Sequence, residues 1–186
     1  SGKPTISVRD MVIQEQKNDL VLATFGRGFY IMDDYTPLRE MDEEALSAGA
    51  FLFSLRDAYL FNSTGMAPAG SAGIAELSGN FSTPNPPDGA VFTYHVGVEP
   101  QEEETLVLLI RDNEGEQVRE LELEAAQGLQ RVAWDLRGEA PEAAPESGRG
   151  GFGGRNRRGP LVEPGRYVAS LGWKVGEDVV EVGPTR

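Results

Sequence analysis

Two adjacent carboxylates, Asp33 and Asp34, close an apolar stretch that turns on Gly26-Arg27-Gly28. A carboxyl pair is the equipment of glycoside hydrolysis. A retaining pair faces one bond at ~5 Å and an inverting pair at ~6.5–9.5 Å. Neighbouring strand residues point to opposite faces, so these two cannot converge on one bond. They read instead as strand-end aspartates that satisfy loop amides. Gly26 and Gly28 do not make a dinucleotide loop, because the third glycine and the following helix are missing. They suit a hairpin turn that needs positive φ, with Arg27 as a solvated turn residue.

Other residues invite chemistry and give a plainer reading. Trp134 and Trp173 could stack on a sugar ring. Trp134 shares its strand face with Val132 and Leu136 and reads as core, whereas Trp173 lies near a strand end and is a candidate for exposure. Residues 148–159, "GRGGFGGRNRRG", carry four arginines and Phe152, a composition that fits base stacking. The acidity of the whole chain opposes that use. Glu102, Glu103 and Glu104, and the alternating Glu120, Glu122 and Glu124, raise a calcium site. No Asp-x-Asp-x-Asp-Gly loop accompanies them. With Leu121 and Leu123 between them, the latter three read as the solvated face of an edge strand, and Asp112 to Gly115 as a turn. No catalytic, cofactor-binding, metal or ligand-binding residue is assigned, and no cofactor is expected.

The elements that must position these residues are strands. Period-two alternation of β-branched and aromatic residues marks 6–14, 20–25 and 29–33. Both faces of this small sheet are apolar, so it expects cover on both sides. Residues 36–48 change period. Thr36 suits a cap, Pro37 the first turn, and Leu38, Met41 and Leu46 one face of a single short helix. Residues 50–61 are apolar and aromatic and suit docking on either neighbour. Residues 62–90 have the composition of a linker. Six further strands fall at 90–96, 105–112, 117–124, 129–136, 165–173 and 177–183, spaced by turns, which predicts an antiparallel sandwich. Residues 138–160 hold one large apolar residue, Phe152, and are expected to be a disordered insertion.

Composition narrows the classes. The chain has 186 residues and a net charge of −13, from 30 acidic against 17 basic residues. That balance opposes general nucleic-acid affinity. Cysteine is absent and His95 is the single histidine, so thiolate chemistry, disulfides and a histidine-rich metal site are not supplied. No apolar run approaches the ~20 residues that span a bilayer. The start at Ser-Gly-Lys-Pro suits a processed chain or a fragment.

"NDLVLATFGRGFYIMDD" followed by "TPLREM" resembles the final blade of secreted propeller proteins of the sialidase and sortilin type, with their Asp-box repeats. In place of the box itself stands "MDDYTPL", a degenerate form. "NPPDGAVFTYHV", "LLIRDNEGEQVREL", "GLQRVAWDLRG" and "GPLVEPGRYVASL" resemble the immunoglobulin-like module that follows such propellers and is also known from the flagellar hook-capping protein. The resemblance implies an all-β chain in three parts: a blade fragment over 1–40, a short helix and linker over 41–84, and an immunoglobulin-like sandwich over 85–186. It implies a secreted, periplasmic or cell-surface protein, a non-catalytic accessory role in glycan or protein binding and spacing, and the remaining propeller blades as partners. The alternative it leaves is a structural part of a glycoside hydrolase whose catalytic blades lie elsewhere.

Overall fold

The computed structural model describes residues 5–60, 87–101, 103–140 and 159–186. Residues 62–86 of the expected 62–90 linker and residues 148–158 of the Arg/Gly-rich 148–159 stretch lie outside them; at the end of the expected linker, Ala90 already opens a strand. Within them the chain is mostly β, in three antiparallel sheets.

The first sheet is a meander of β1 (Val8–Gln14), β2 (Asp19–Thr24) and β3 (Phe29–Met32) in the order β1-β2-β3. The Gly-Arg-Gly turn behaves as the sequence predicts. Gly26 and Gly28 take φ of 79° and 75°, and the Thr24 amide and hydroxyl both donate to the Gly28 carbonyl, at 3.1 and 2.7 Å. A Cβ at either glycine meets nothing within 4 Å. Substitution by alanine therefore costs only the left-handed backbone, about 1–2 kcal/mol at each position. Equilibrium urea unfolding of the single variants checks this, and a cost near zero at both would mean that the turn is not held as described.

The single helix expected over 36–48 is two short ones. They are α1 (Thr36–Glu40) and α2 (Glu43–Ser47). Met41 turns extended, with φ −74° and ψ 97°. Asp42 then restarts the helix by accepting the Ala45 amide at 2.9 Å, an N-cap that pre-empts one continuous helix. The break also resets the helical phase. Pro37 and Ala45 are buried, while Leu38 and Leu46 stay about half exposed. Thr36 caps nothing; its hydroxyl accepts from Asn18.

The remaining strands build two sheets around one core. They are β4 (Ala50–Leu52), β5 (Ala90–Val96), β6 (Thr105–Arg111), β7 (Gln117–Glu122), β8 (Gly128–Trp134), β9 (Val168–Val175) and β10 (Asp178–Val182). One sheet has the order β4-β5-β8 and the other β10-β9-β6-β7. The core between them gathers Leu52, Phe92, Tyr94 and Val96 from the first and Leu106, Leu108, Ile110 and Leu171 from the second. Residues 50–52 were not separable by sequence from the connecting segment. They form a strand because Ala50 and Leu52 enter this core and the Phe53 amide bonds the Thr93 carbonyl.

The outer face of the four-stranded sheet is also closed at its centre. Val107, Leu109 and Ser170 are buried there. Lys174 bonds Glu120 across β6, joining β9 to β7. Arg111 bonds Glu181 across β9 at 2.6 Å and reaches the Ser170 hydroxyl at 3.4 Å. Long side chains thus lay their stems over apolar surface and pair their heads above it. Glu120 is on an edge strand as expected, yet it is an ion-pair partner rather than only a solvated face.

Two groups carry the electrostatic trace of this roof. The Glu120 carboxylate bonded to Lys174 raises the lysine's pKa. The Arg111 guanidinium holds the Glu181 carboxyl below its usual range, against some desolvation, with help from Ser170. A depressed folded-state pKa stabilises above the ordinary carboxylate range and is lost as pH falls through it. Glu181→Gln should therefore flatten part of the acid limb of stability below about pH 5. The effect should be no more than about 1 kcal/mol, because the side chain is 42% exposed and solvent screens it. Thermal midpoints taken from pH 3 to 7 check it; an unchanged acid limb would mean that the pair carries no linkage.

The base of the 138–160 insertion is pinned. Arg137 and Leu161 form a bridge, Gly138 donates to the Pro160 carbonyl at 2.9 Å, and Val162 donates to the Leu136 carbonyl at 3.0 Å. Deleting residues 142–158 should leave the β core intact, because the two ends are already held together and loop closure changes slowly with length. Retained near-ultraviolet dichroism with a thermal midpoint within a few degrees is the expected result. Loss of that signal would give the loop a structural role.

Candidate functional site

The three-stranded sheet is the unusual surface. Cross-strand rows follow from its register. Ile13, Leu20 and Met32 form one row and Met11, Leu22 and Tyr30 the next, on one face. Val12, Val21 and Ile31, then Ala23 and Phe29, lie on the other. Both faces are apolar, and neither is covered among the described residues. Met11, Val12, Phe25, Phe29 and Ile31 are each about 60–75% exposed. No residue of this sheet enters the core of the other two.

Among the described residues, polar contacts attach one end of this sheet to the rest of the chain. Arg131 of β8 donates to the carbonyls of Asp33 and Asp34, at 2.8 and 3.1 Å. Arg56 donates to the Lys17 carbonyl at 2.8 Å and pairs with Asp19 at 3.3 Å. The Lys17 ammonium sits 4.2 Å from the Tyr59 ring centroid. A cleft of about 150 Å³ opens at this junction, lined by Asp33, Asp34, Arg56, Asp57 and Arg131 among others. Both arginines donate to backbone carbonyls, and the Asp34 carboxylate accepts the Thr36 amide.

Asp34 is held by local hydrogen bonds, and Asp33 meets Arg131 through its backbone carbonyl. Asp34 takes a left-handed φ of 49°. Its carboxylate accepts the Thr36 amide at 3.2 Å, and its own amide donates to Asp19 at 3.0 Å. Asp34 thus satisfies a loop amide, as expected for a strand-end aspartate, while the second acceptor is Asp19 rather than Asp33. Arg27 is an exposed turn residue. Sequence reasoning missed Arg56 and Arg131, because their acceptors are mainly backbone carbonyls, which every residue carries.

Trp134 is core, only 2% exposed, and its indole donates to the Arg137 carbonyl at 2.7 Å. Trp173 is partly buried against that core rather than a free platform. His95 lies on β5 between Phe51 and Leu129, with Nδ1 buried and unpartnered. Glu104 accepts the Gln101 amide, and Glu103 is an exposed residue at φ 75°. Among the described residues no three of His, Asp and Glu group as a metal site, and no helix is long and apolar enough to cross a membrane. No family model, curated protein or solved structure matches the chain.

Proposed function

We propose that this chain is a non-catalytic accessory module of a secreted or cell-surface protein, in which β1–β3 is one incomplete blade of a larger propeller-type β assembly. The other two sheets serve as an appended immunoglobulin-like spacer. The observation that carries this reading is the three-stranded sheet with two exposed apolar faces. A sheet of three strands needs at least one covered face to be stable, and contiguous exposed apolar surface marks an interaction site.

The appended unit supports the reading in two ways. Its strands exchange between sheets so that β4, β5 and β8 oppose β6, β7, β9 and β10, as in immunoglobulin-like sandwiches. Tyr167, just before β9, donates its hydroxyl to the Glu163 carbonyl at 2.7 Å. That contact resembles the tyrosine corner such sandwiches place at the start of one strand, and supports the reading to that extent. Trp134 stacks edge-on against Tyr167 at 5.5 Å, tying the corner to the core.

Sedimentation of the full chain across a hundredfold concentration range tests the role of the faces. The chain should self-associate, and the combined Met11→Thr, Val12→Thr and Phe29→Thr variant should stay monomeric with its thermal midpoint little changed. A wild-type chain that remains monomeric and binds no hydrophobic dye would overturn the reading.

A further inference from the structure

Every sheet edge carries unpaired backbone groups, and this chain blunts its edges unequally. The free edge of β7 is covered by Glu139, whose amide donates to the Val118 carbonyl and whose carboxylate accepts the Glu120 amide. The edge of β4 is met by Arg186, which donates to the Leu52 carbonyl at 3.2 Å. Strands β8 and β10 carry Arg131 and the pair Asp178 and Glu181, charges that discourage pairing. The register of β1 shifts between Val8 and Asp10, and the Asp10 carboxylate accepts the Met11 amide at 2.9 Å. A bulge and a capped amide are both edge protections.

Among the described residues strand β3 has neither device. Its residues, Phe29 to Met32, carry no charge. The Thr24 amide bonds the Gly28 carbonyl, so by antiparallel alternation Leu22 with Tyr30 and Leu20 with Met32 are the hydrogen-bonded pairs toward β2. Phe29 and Ile31 therefore turn their amides and carbonyls outward. Their side chains are 75% and 61% exposed. Charges bracket the strand: Arg27 precedes it and Asp33 follows it.

We infer that the outer edge of β3 is a strand-accepting site. Its partner is an antiparallel, extended protein segment, apolar at alternate positions, with a basic residue at its N-terminal end and an acidic residue at its C-terminal end. Outward amides and carbonyls at Phe29 and Ile31, hydrated in the free chain, match the donor and acceptor spacing of another extended backbone. The row Val12, Val21, Ile31 continues onto the incoming strand and selects apolar side chains. Antiparallel addition brings the basic end to Asp33 and the acidic end to Arg27. This inference rests on the incomplete-sheet reading and specifies which edge completes it and with what.

The probe is a capped eight-residue peptide of alternating valine and threonine, with lysine at its N-terminal end and glutamate at its C-terminal end. Amide spectra of the full chain should shift at Phe29 and Ile31 on titration, with slower hydrogen exchange there. A charge-reversed peptide should bind about tenfold more weakly. Ile31→Pro removes only an outward donor and should abolish the shifts with β2 pairing retained. Asp33→Lys leaves all β2–β3 bonds in place and should weaken the lysine-first peptide while improving the reversed one. Shifts at Met11 and Ile13 instead, or no binding of either peptide at millimolar concentration, would overturn the inference. The incomplete-sheet reading stands or falls separately, on self-association through the faces.

Discussion

Replacing Trp134 with alanine should destabilise the two-sheet unit by about 3–5 kcal/mol, the range of large aromatic truncations in a core. Trp134 ends β8 opposite Ala90 and is 2% exposed. Its loss removes the edge contact with Tyr167 and strands the Arg137 carbonyl that its indole satisfies. The backbone here cannot easily collapse into the space. Gly89, at φ 103°, lies so close that a Cβ on it would sit 2.0 Å from the Trp134 carbonyl oxygen. Trp134→Phe separates the two contributions, since it keeps most of the volume and forfeits the hydrogen bond, worth about 1 kcal/mol. Equilibrium urea unfolding followed by tyrosine fluorescence and far-ultraviolet dichroism measures both. A loss below about 1 kcal/mol for the alanine variant would mean that the ring does not occupy the core.

Trp134 was legible in the sequence because period two is local. Its neighbours two residues away, Val132 and Leu136, share its side of the chain, and both pack on the core. The same locality explains why all six later strands fall close to where alternation puts them. Shifts of one to three residues occur at their ends, where pairing partners decide the boundary. The glycine turn was legible for a different reason, since positive φ at Gly26 and Gly28 is a demand that residue type answers directly.

What was not legible depends on partners far along the chain. Residues 50–53, Ala-Phe-Leu-Phe, are apolar on both sides, a pattern shared by a buried strand and a docked coil. Only the approach of β5, some forty residues later, decides that they are a strand. Likewise Glu120 alternates as a solvated residue should, and its pairing with Lys174 follows from β6 lying between their strands. The attachment of the first sheet, by Arg131 and Arg56 on backbone carbonyls, leaves no trace in residue types at all. At the junction residue type points to Asp34 as an amide acceptor, but nothing in it points to the carbonyls of Asp33 and Asp34 as arginine acceptors.

The placement of β4 changes what a stable fragment must contain. Composition alone puts the start of the second β unit at residue 85, after the linker-like stretch. A fragment of residues 85–186 lacks Ala50, Leu52 and Phe53, which are 2%, 0% and 0% exposed. Burying a leucine and a phenylalanine contributes about 1.5–3 kcal/mol each. Removing the strand also bares β5 along Tyr94 and Val96, and it leaves Arg186 without the Leu52 carbonyl. Together these losses are comparable to the roughly 5–15 kcal/mol that holds a domain folded. The 85–186 fragment should therefore melt without a cooperative transition and bind hydrophobic dye. A fragment of residues 36–186 keeps β4, and it keeps Glu40, which accepts the Ser54 amide at 2.9 Å and pairs with Arg186. It should unfold in one cooperative step. Residues 1–40 alone should aggregate, because their apolar faces and open β3 edge have nothing else to pair with. Calorimetry of the two longer fragments and sedimentation of the short one make the comparison. A cooperative 85–186 fragment would mean that β4 only decorates the core, and a monomeric, well-dispersed 1–40 would mean that three strands with both faces bare are stable without a partner.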